Sequence, residues 1–233
     1  MVRPPAPERL IKNGIPTEAL VAAVVADKYV WHKPLYRQAR IMALQGLPVD
    51  RATLAGWVGV GAAELKPVYL RMKQILLGAA KIAVDETRAP VLDPGRGGTK
   101  SGYFWAIARD DRPWGGPDPP AVIYSYAPGR GGVHASALLA DYCGIMQCDG
   151  YAAYKQLADR QGDGGGRVTL AFCSSHWRRK FVEIDRAGSA PIVREALERI
   201  AALYAIESRI RGRTPPRPPG REQAAGRGAQ GLA

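Results

Sequence analysis

The chain has 233 residues, 46% of them hydrophobic, which is enough for one sizeable core and a smaller helical unit. Lys and Arg number 33 against 21 Asp and Glu, a net charge of +12. That balance suits a polyanionic partner, most simply nucleic acid, although an Arg-rich coding bias produces the same excess. Cys143, Cys148 and Cys173 cannot form a closed disulfide set and fit a reducing compartment. No apolar run approaches the roughly 20 residues of a membrane span. The opening MVRPPAPERL has no apolar run after its basic residue and so does not read as a signal peptide. The expectation is a cytoplasmic protein.

In chain order, the Pro-rich residues 1–16 read as extended. TEALVAAVVADKYV reads as a helix capped by Thr17. Pro34 suits the first turn of a second helix, LYRQARIMALQ, which Gly46 ends. Asp50 suits the cap of a third, RATLAGWV, and the GLPV connection gives this pair helix-turn-helix spacing. A further helical stretch, AAELKPVYLRMKQILLG, has Pro67 close to its start. Trp31, Tyr36 and Trp57 are read as core residues.

The texture changes near Ala80. KIAVDET reads as a strand, LDPGRGGTKSG as a Gly-rich turn, YFWAIARDD as a second strand and DRPWGGPDPP as a loop. AVIYSYAP is a third strand, HASALLADYC a helix, and GIMQCDGY a fourth strand ending at Asp149. YAAYKQLADRQ is a helix, GDGGG a loop and RVTLAFCSS a fifth strand. A long helical region runs from His176 to about Ile210, broken between Ala187 and Pro191, with Val193, Leu197, Ile200 and Tyr204 on one face. Strands joined by short connections pair antiparallel, and those reached through a helix pair parallel. The fold class is therefore α/β. This is the order of a ribonuclease H-like core, a mixed five-stranded sheet with helices, preceded by a small helical, helix-turn-helix-like region. The expected domains are residues 1–78, 79–211 and a disordered Arg/Gly/Pro-rich tail over 212–233.

In such a sheet the first and fourth strands are neighbours, which brings Asp85 and Asp149 together. Side-by-side carboxylates repel, and a hard divalent cation, Mg²⁺ or Mn²⁺, relieves the conflict. Paired ions of that kind support phosphoryl transfer. A lone Asp at a strand end is otherwise a turn or cap residue. Glu86 points to the opposite face from Asp85, in a supporting role or simply exposed. In CSSHWRRKF, Arg178, Arg179 and Lys180 suit phosphate contacts, and His176 suits DNA or a metal-bound water. The alternative is a solvated basic helix start with His176 as a cap or packing residue. Cys148, Cys173 and His176 lack a fourth zinc ligand, which favours free cysteines. Arg130 follows the third strand and is a candidate DNA contact. Lys28, Lys33, Arg37, Arg40 and Arg51 lie on or near the first helices, as a solvated face or a DNA-contacting one.

Six blocks in order resemble the transposases of the insertion-sequence-66 family: KYVWHKPLYRQ, VDRATLAGWV, VDET, SGYFWAIARDD, CDGYAAY and CSSHWRRKF. The resemblance runs from about Lys28 to Ile210. It implies a transposase core that cleaves and transfers DNA strands with Mg²⁺, in which Asp85 and Asp149 are the first two acids of the catalytic triad. It also implies DNA ends and target as partners, a nucleoid-associated location and work as a homo-oligomer. Two departures stand out. The family's third acid is a Glu in a later block after an Asn-Asn pair, and Glu183, Glu195, Glu198 and Glu207 do not match it. The family also has a further N-terminal region before the part seen here. The expectation is a truncated or frameshifted copy, or a non-catalytic DNA-binding remnant.

Overall fold

A computed structural model describes residues 8–12, 14–160, 168–188 and 190–213. The chain divides into two compact units, Met1–Arg71 and Met72–Ala233. The expected disordered tail beyond Arg213, the GDGGG loop and half of the Pro-rich start lie outside the described residues. Among those described, no helix is long and apolar enough to cross a membrane.

The first unit is helical. Helix α1 spans Glu18–Tyr29, and Thr17 caps it by accepting the Leu20 N–H at 3.2 Å. Helix α2 spans Leu35–Leu44; Pro34 stands just before its first turn rather than within it. Gly46, at φ 84°, closes α2 in the left-handed conformation that glycine adopts without strain. Val21, Val24, Leu54 and Trp57 form the core, and Leu35, Ala39 and Met42 pack against it. The buried Gln38 of α2 donates to the carbonyls of Val24 at 3.3 Å and Lys33 at 3.1 Å, which ties α2 to α1. Trp57 is buried as expected, but Trp31 and Tyr36 are exposed. They flank the connection between α1 and α2, and apolar character alone misplaced them.

Helix α3 corrects a second expectation. It is one continuous helix, Arg51–Leu77, that passes through Pro67 instead of restarting near it. An interior proline forfeits one backbone hydrogen bond and costs about 3 kcal/mol. The strong helix formers on both sides, Ala62 to Lys66 and Leu70 to Leu77, offset that cost. Asp50 caps α3: its carboxylate accepts the Thr53 N–H at 2.8 Å and the Thr53 hydroxyl at 2.9 Å. The Thr53 N–H is the main reason its pKa lies below the ordinary value. A carboxyl depressed in the folded state stabilises above its unfolded pKa, near 3.9, and that contribution is lost as pH falls through the lowered value. An acid titration of the helical circular dichroism signal should therefore show a step below about pH 4 that Asp50→Asn lacks. Superimposable curves would remove Asp50 as the acid-sensitive cap.

The second unit is built on a five-stranded sheet in the order β3-β2-β1-β4-β5. The strands are β1 Lys81–Asp93, β2 Gly98–Arg109, β3 Ala121–Ala127, β4 Gly144–Cys148 and β5 Val168–Phe172. β1 pairs antiparallel with β2, and β2 with β3; β1 pairs parallel with β4, and β4 with β5. Helices α4 Gly132–Leu139 and α5 Ala152–Arg160 supply the parallel crossovers, and α6 Ser174–Ala187 and α7 Pro191–Ile210 follow β5. Ile82 and Val84 of β1, Trp105 and Ile107 of β2, and Met146 and Cys148 of β4 are buried, the alternation of strands with one covered face. Trp105 meets Tyr154 of α5 edge-on at 6.1 Å, so α5 lies over that face. On α7, Ile200 is buried and Tyr204 exposed.

Two boundaries differ from expectation. The β1–β2 ladder continues from Ala83↔Ala108 to Asp93↔Gly98, so most of the Gly-rich segment is strand and only Pro94–Arg96 and Gly97 turn. β4 ends at Cys148, which leaves Asp149 just past the strand.

Candidate functional site

Alternation along β1 separates two adjacent acids. Val84 and Glu86 lie on the covered face, while Asp85 is exposed on the other. Asp85 Oδ1 accepts the Glu86 N–H at 3.0 Å. The parallel register pairs Ala83 with Gln147. Asp85 and Asp149 each lie two residues beyond that pair, Asp149 past the end of β4. Asp149 Oδ1 accepts the Tyr151 N–H at 2.9 Å, a turn that opens α5. Its side chain stays 23% exposed, so the outer oxygens of both aspartates can be reached. Their donor atoms are hard carboxylate oxygens.

Glu86 is the unexpected member. Its side chain is only 1% exposed and sits between two donors. The Tyr154 hydroxyl donates to Oε2 at 2.5 Å, and Arg130 Nε donates to Oε1 at 2.5 Å, with the guanidinium Nη2 in contact as well. Arg130 also stands 3.5 Å from Asp149 Oδ2. Its guanidinium lies 4.0 Å from the centroid of Tyr151, whose hydroxyl donates to the Arg130 carbonyl at 2.7 Å. Tyr151 and Tyr154 meet edge-on at 5.9 Å. Burial opposes the Arg130 charge, but the bond to Glu86 and the charges of Glu86 and Asp149 outweigh it and raise its pKa. Burial first, then the bond to Glu86, pushes the Tyr154 phenol far above its usual range. One guanidinium therefore serves two carboxylates, and the tyrosines fix it in place. Arg130 was expected as a DNA contact; the structure shows it engaged by Glu86 and Asp149. Sequence reading missed Tyr151 and Tyr154. The available signal was their three-residue spacing directly after Asp149, which stacks side chains on one helix face.

The β5–α6 junction adjoins the same end of the sheet, because the Cys173 N–H donates to the Cys148 carbonyl at 2.8 Å. Burial alone would raise the Cys173 thiol, but bonds from His176 and from the backbone of His176 and Ser175 hold it below the ordinary value. Burial pushes the Cys148 thiol up to about 11. Cys148 is buried, Cys173 half-buried and Cys143 exposed, so the cysteines differ in environment, and all are free. Among the described residues, no group of three or more His, Cys, Asp or Glu is arranged to hold a metal ion. His176 is half-buried, whereas Arg178, Arg179 and Lys180 are exposed on α6. In the other unit Arg37, Arg40 and Arg51 are exposed, and Lys33 pairs with Asp27 at 2.9 Å.

A family model described as "Transposase IS66 family" matches residues 13–231. The chain belongs to this family. It is 44% identical over 215 residues to the uncharacterized protein y4jD of Sinorhizobium fredii (strain NBRC 101917 / NGR234), an overlap of 92% of this chain and 42% of that protein. It is 38% identical over 210 residues to y4qI of the same strain, covering 89% of this chain and 39% of the relative. The chain thus spans about two fifths of the length of these curated relatives. In this IS66-family chain three motif blocks converge. VDET meets CDGYAAY through Glu86 and Tyr154, and CDGYAAY meets CSSHWRRKF through Cys148 and Cys173.

Proposed function

We propose that this chain carries the ribonuclease H-like portion of a DNA transposase, with Asp85 and Asp149 as two of its catalytic, metal-holding acids. The observation that carries the reading is the β1–β4 pairing, which makes the strand bearing Asp85 the neighbour of the strand that ends just before Asp149, in a chain of a transposase family. The strand order β3-β2-β1-β4-β5 supports the fold assignment. The donor set fits Mg²⁺ or Mn²⁺, since both side chains present oxygen and both are accessible. Such ions supply activation of the attacking oxygen and stabilisation of the leaving one in phosphoryl transfer. The rest falls to the protein. Tyr151 N–H and Arg130 hold Asp149, and Asp85 projects from β1, the strand paired with β4. Arg178, Arg179, Lys180 and His176 contact the DNA backbone on α6. Arg37 and Arg51 do so from α2 and α3, read as a helix-turn-helix unit.

The test is strand cleavage and transfer on linear DNA bearing the ends of the element that encodes the chain, with Mg²⁺. Asp85→Asn and Asp149→Asn should each reduce product by roughly a thousandfold, about 4 kcal/mol of transition-state stabilisation. Duplex binding should stay within about twofold, since Asn keeps the shape and removes only the anionic ligand. Full activity in either variant would defeat the assignment. A second reading, DNA binding without cleavage, draws on the lack of a three-acid cluster among the described residues. It predicts a parent that binds DNA and cuts none.

A further inference from the structure

A cavity of about 860 Å³ opens beside Asp149, between the start of α5, the end of β5 and the first turns of α6. Its lining includes Lys155, Phe172, Trp177, Arg179 and Lys180. Phe172 and Trp177 are large apolar side chains, yet 56% and 52% exposed. Trp177 is not free to fold away, because it meets Phe181 edge-on at 5.0 Å with the ring planes at 89°. The Lys155 ammonium lies 5.8 Å from the Phe172 ring. Lys180 pairs with Glu183 at 2.9 Å, but both side chains are mostly in water, where such a pair is weak and easily exchanged for another anion.

Fixed aromatic faces, cations around them and a concave volume of this size make one chemical combination. It presents a π surface for a flat ring, and positive charge for the phosphates on either side of that ring. A paired duplex hides its base faces inside the stack, so it can satisfy the cations but not the rings. We infer that this cavity binds an unpaired nucleotide, its base stacked on Trp177 and its flanking phosphates on Lys155 and Arg179. The inference rests on the DNA reading above and deepens it. It assigns the Asp149 end of the sheet a single-stranded or frayed DNA terminus rather than a continuous duplex.

The test uses the full chain and three fluorescent DNAs of one sequence: a single strand, a blunt duplex and a duplex with a few unpaired terminal nucleotides. Trp177→Ala should weaken the single strand and the frayed duplex about tenfold, the scale of losing one stacked base, and the blunt duplex less than twofold. Trp177→Phe, which keeps a ring, should recover most of that loss. Lys155→Ala or Arg179→Ala should weaken all three and lower the log–log salt slope by about 1 each. Trp177 is exposed, so circular dichroism should show the variant folded. An equal loss on all three DNAs, or none on any, overturns the proposal. So does Trp177→Ala altering sedimentation while leaving DNA binding intact, which would assign the rings to a contact between copies of the chain. A parent that binds blunt duplex but shows no Trp177-dependent preference sinks the nucleotide site alone. A parent that binds no DNA of any form sinks the transposase reading with it.

Discussion

Replacing Glu86 with alanine is expected to cost the sheet unit about 3 kcal/mol of unfolding free energy, whereas Asp85→Ala, one residue earlier, should change it by less than about 0.5 kcal/mol. The two acids are adjacent in sequence and opposite in environment. Glu86 is buried and satisfies Tyr154 and Arg130; deleting it leaves a buried phenol and a partly covered guanidinium without their acceptor. The cost falls at the low end for a broken buried pair because Arg130 is 42% exposed and can turn toward water. Tyr154→Phe should cost about 1.5 kcal/mol, because it deprives the buried carboxylate of one donor. The double variant should be less damaging than the sum, since both changes break the same contact. Urea denaturation of the parent and the four variants gives these values. Additive losses, or a Glu86→Ala loss under about 1 kcal/mol, would mean that Arg130 and Tyr154 are held by something other than Glu86.

The second large effect is expected at Gly144, which begins β4. Its φ is 143°, a backbone region that side chains rarely occupy. A Cβ there would lie 2.7 Å from the Ala80 carbonyl oxygen and 2.8 Å from the Tyr142 hydroxyl. That carbonyl accepts the Ile145 N–H at 2.9 Å, and the Tyr142 hydroxyl donates to the Ile145 carbonyl at 2.7 Å. The crowding therefore falls on the bonds that start the β1–β4 pairing. Gly144→Ala should destabilise by about 3 kcal/mol, from strain and displaced backbone together. It should also loosen the register between β1, which carries Asp85, and β4, which ends just before Asp149. Calorimetric melting gives the first effect. Faster amide exchange at Met146 and Gln147 than in the parent gives the second, and unchanged exchange there would mean β4 adapts elsewhere.

The elements of the sheet were legible because their signals are local. KIAVDET, YFWAIARDD and AVIYSYAP alternate or are rich in β-formers, and Gly and Pro punctuate them. The neighbourhood of β1 and β4 was legible because a helix between strands dictates parallel pairing. Three features were not legible for a physical reason each. Pro67 marks a boundary in a local reading, yet long runs of helix formers carry α3 through it. The turn after β1 looked long because Gly98 and Gly102 are turn-formers by type, while cross-strand pairing holds them in β2. The partners of Glu86 were hidden because Arg130 and Tyr154 lie 44 and 68 residues away in sequence. Period two tells which face a residue takes but not what waits there.

The burial of Glu86 has a consequence for how β1 finds its place. A strand that slips by one residue exchanges its two faces. Here the slip would put Asp85 under α5, where its shorter side chain would stop one methylene short of both Tyr154 and Arg130. It would also carry Glu86 out to solvent. Two neighbouring carboxylates of unequal length thus work as a ruler: only one alignment of β1 lets the longer acid reach its donors while the shorter stays in water. The Asp-Glu step thus proofreads the strand from the covered side of the sheet.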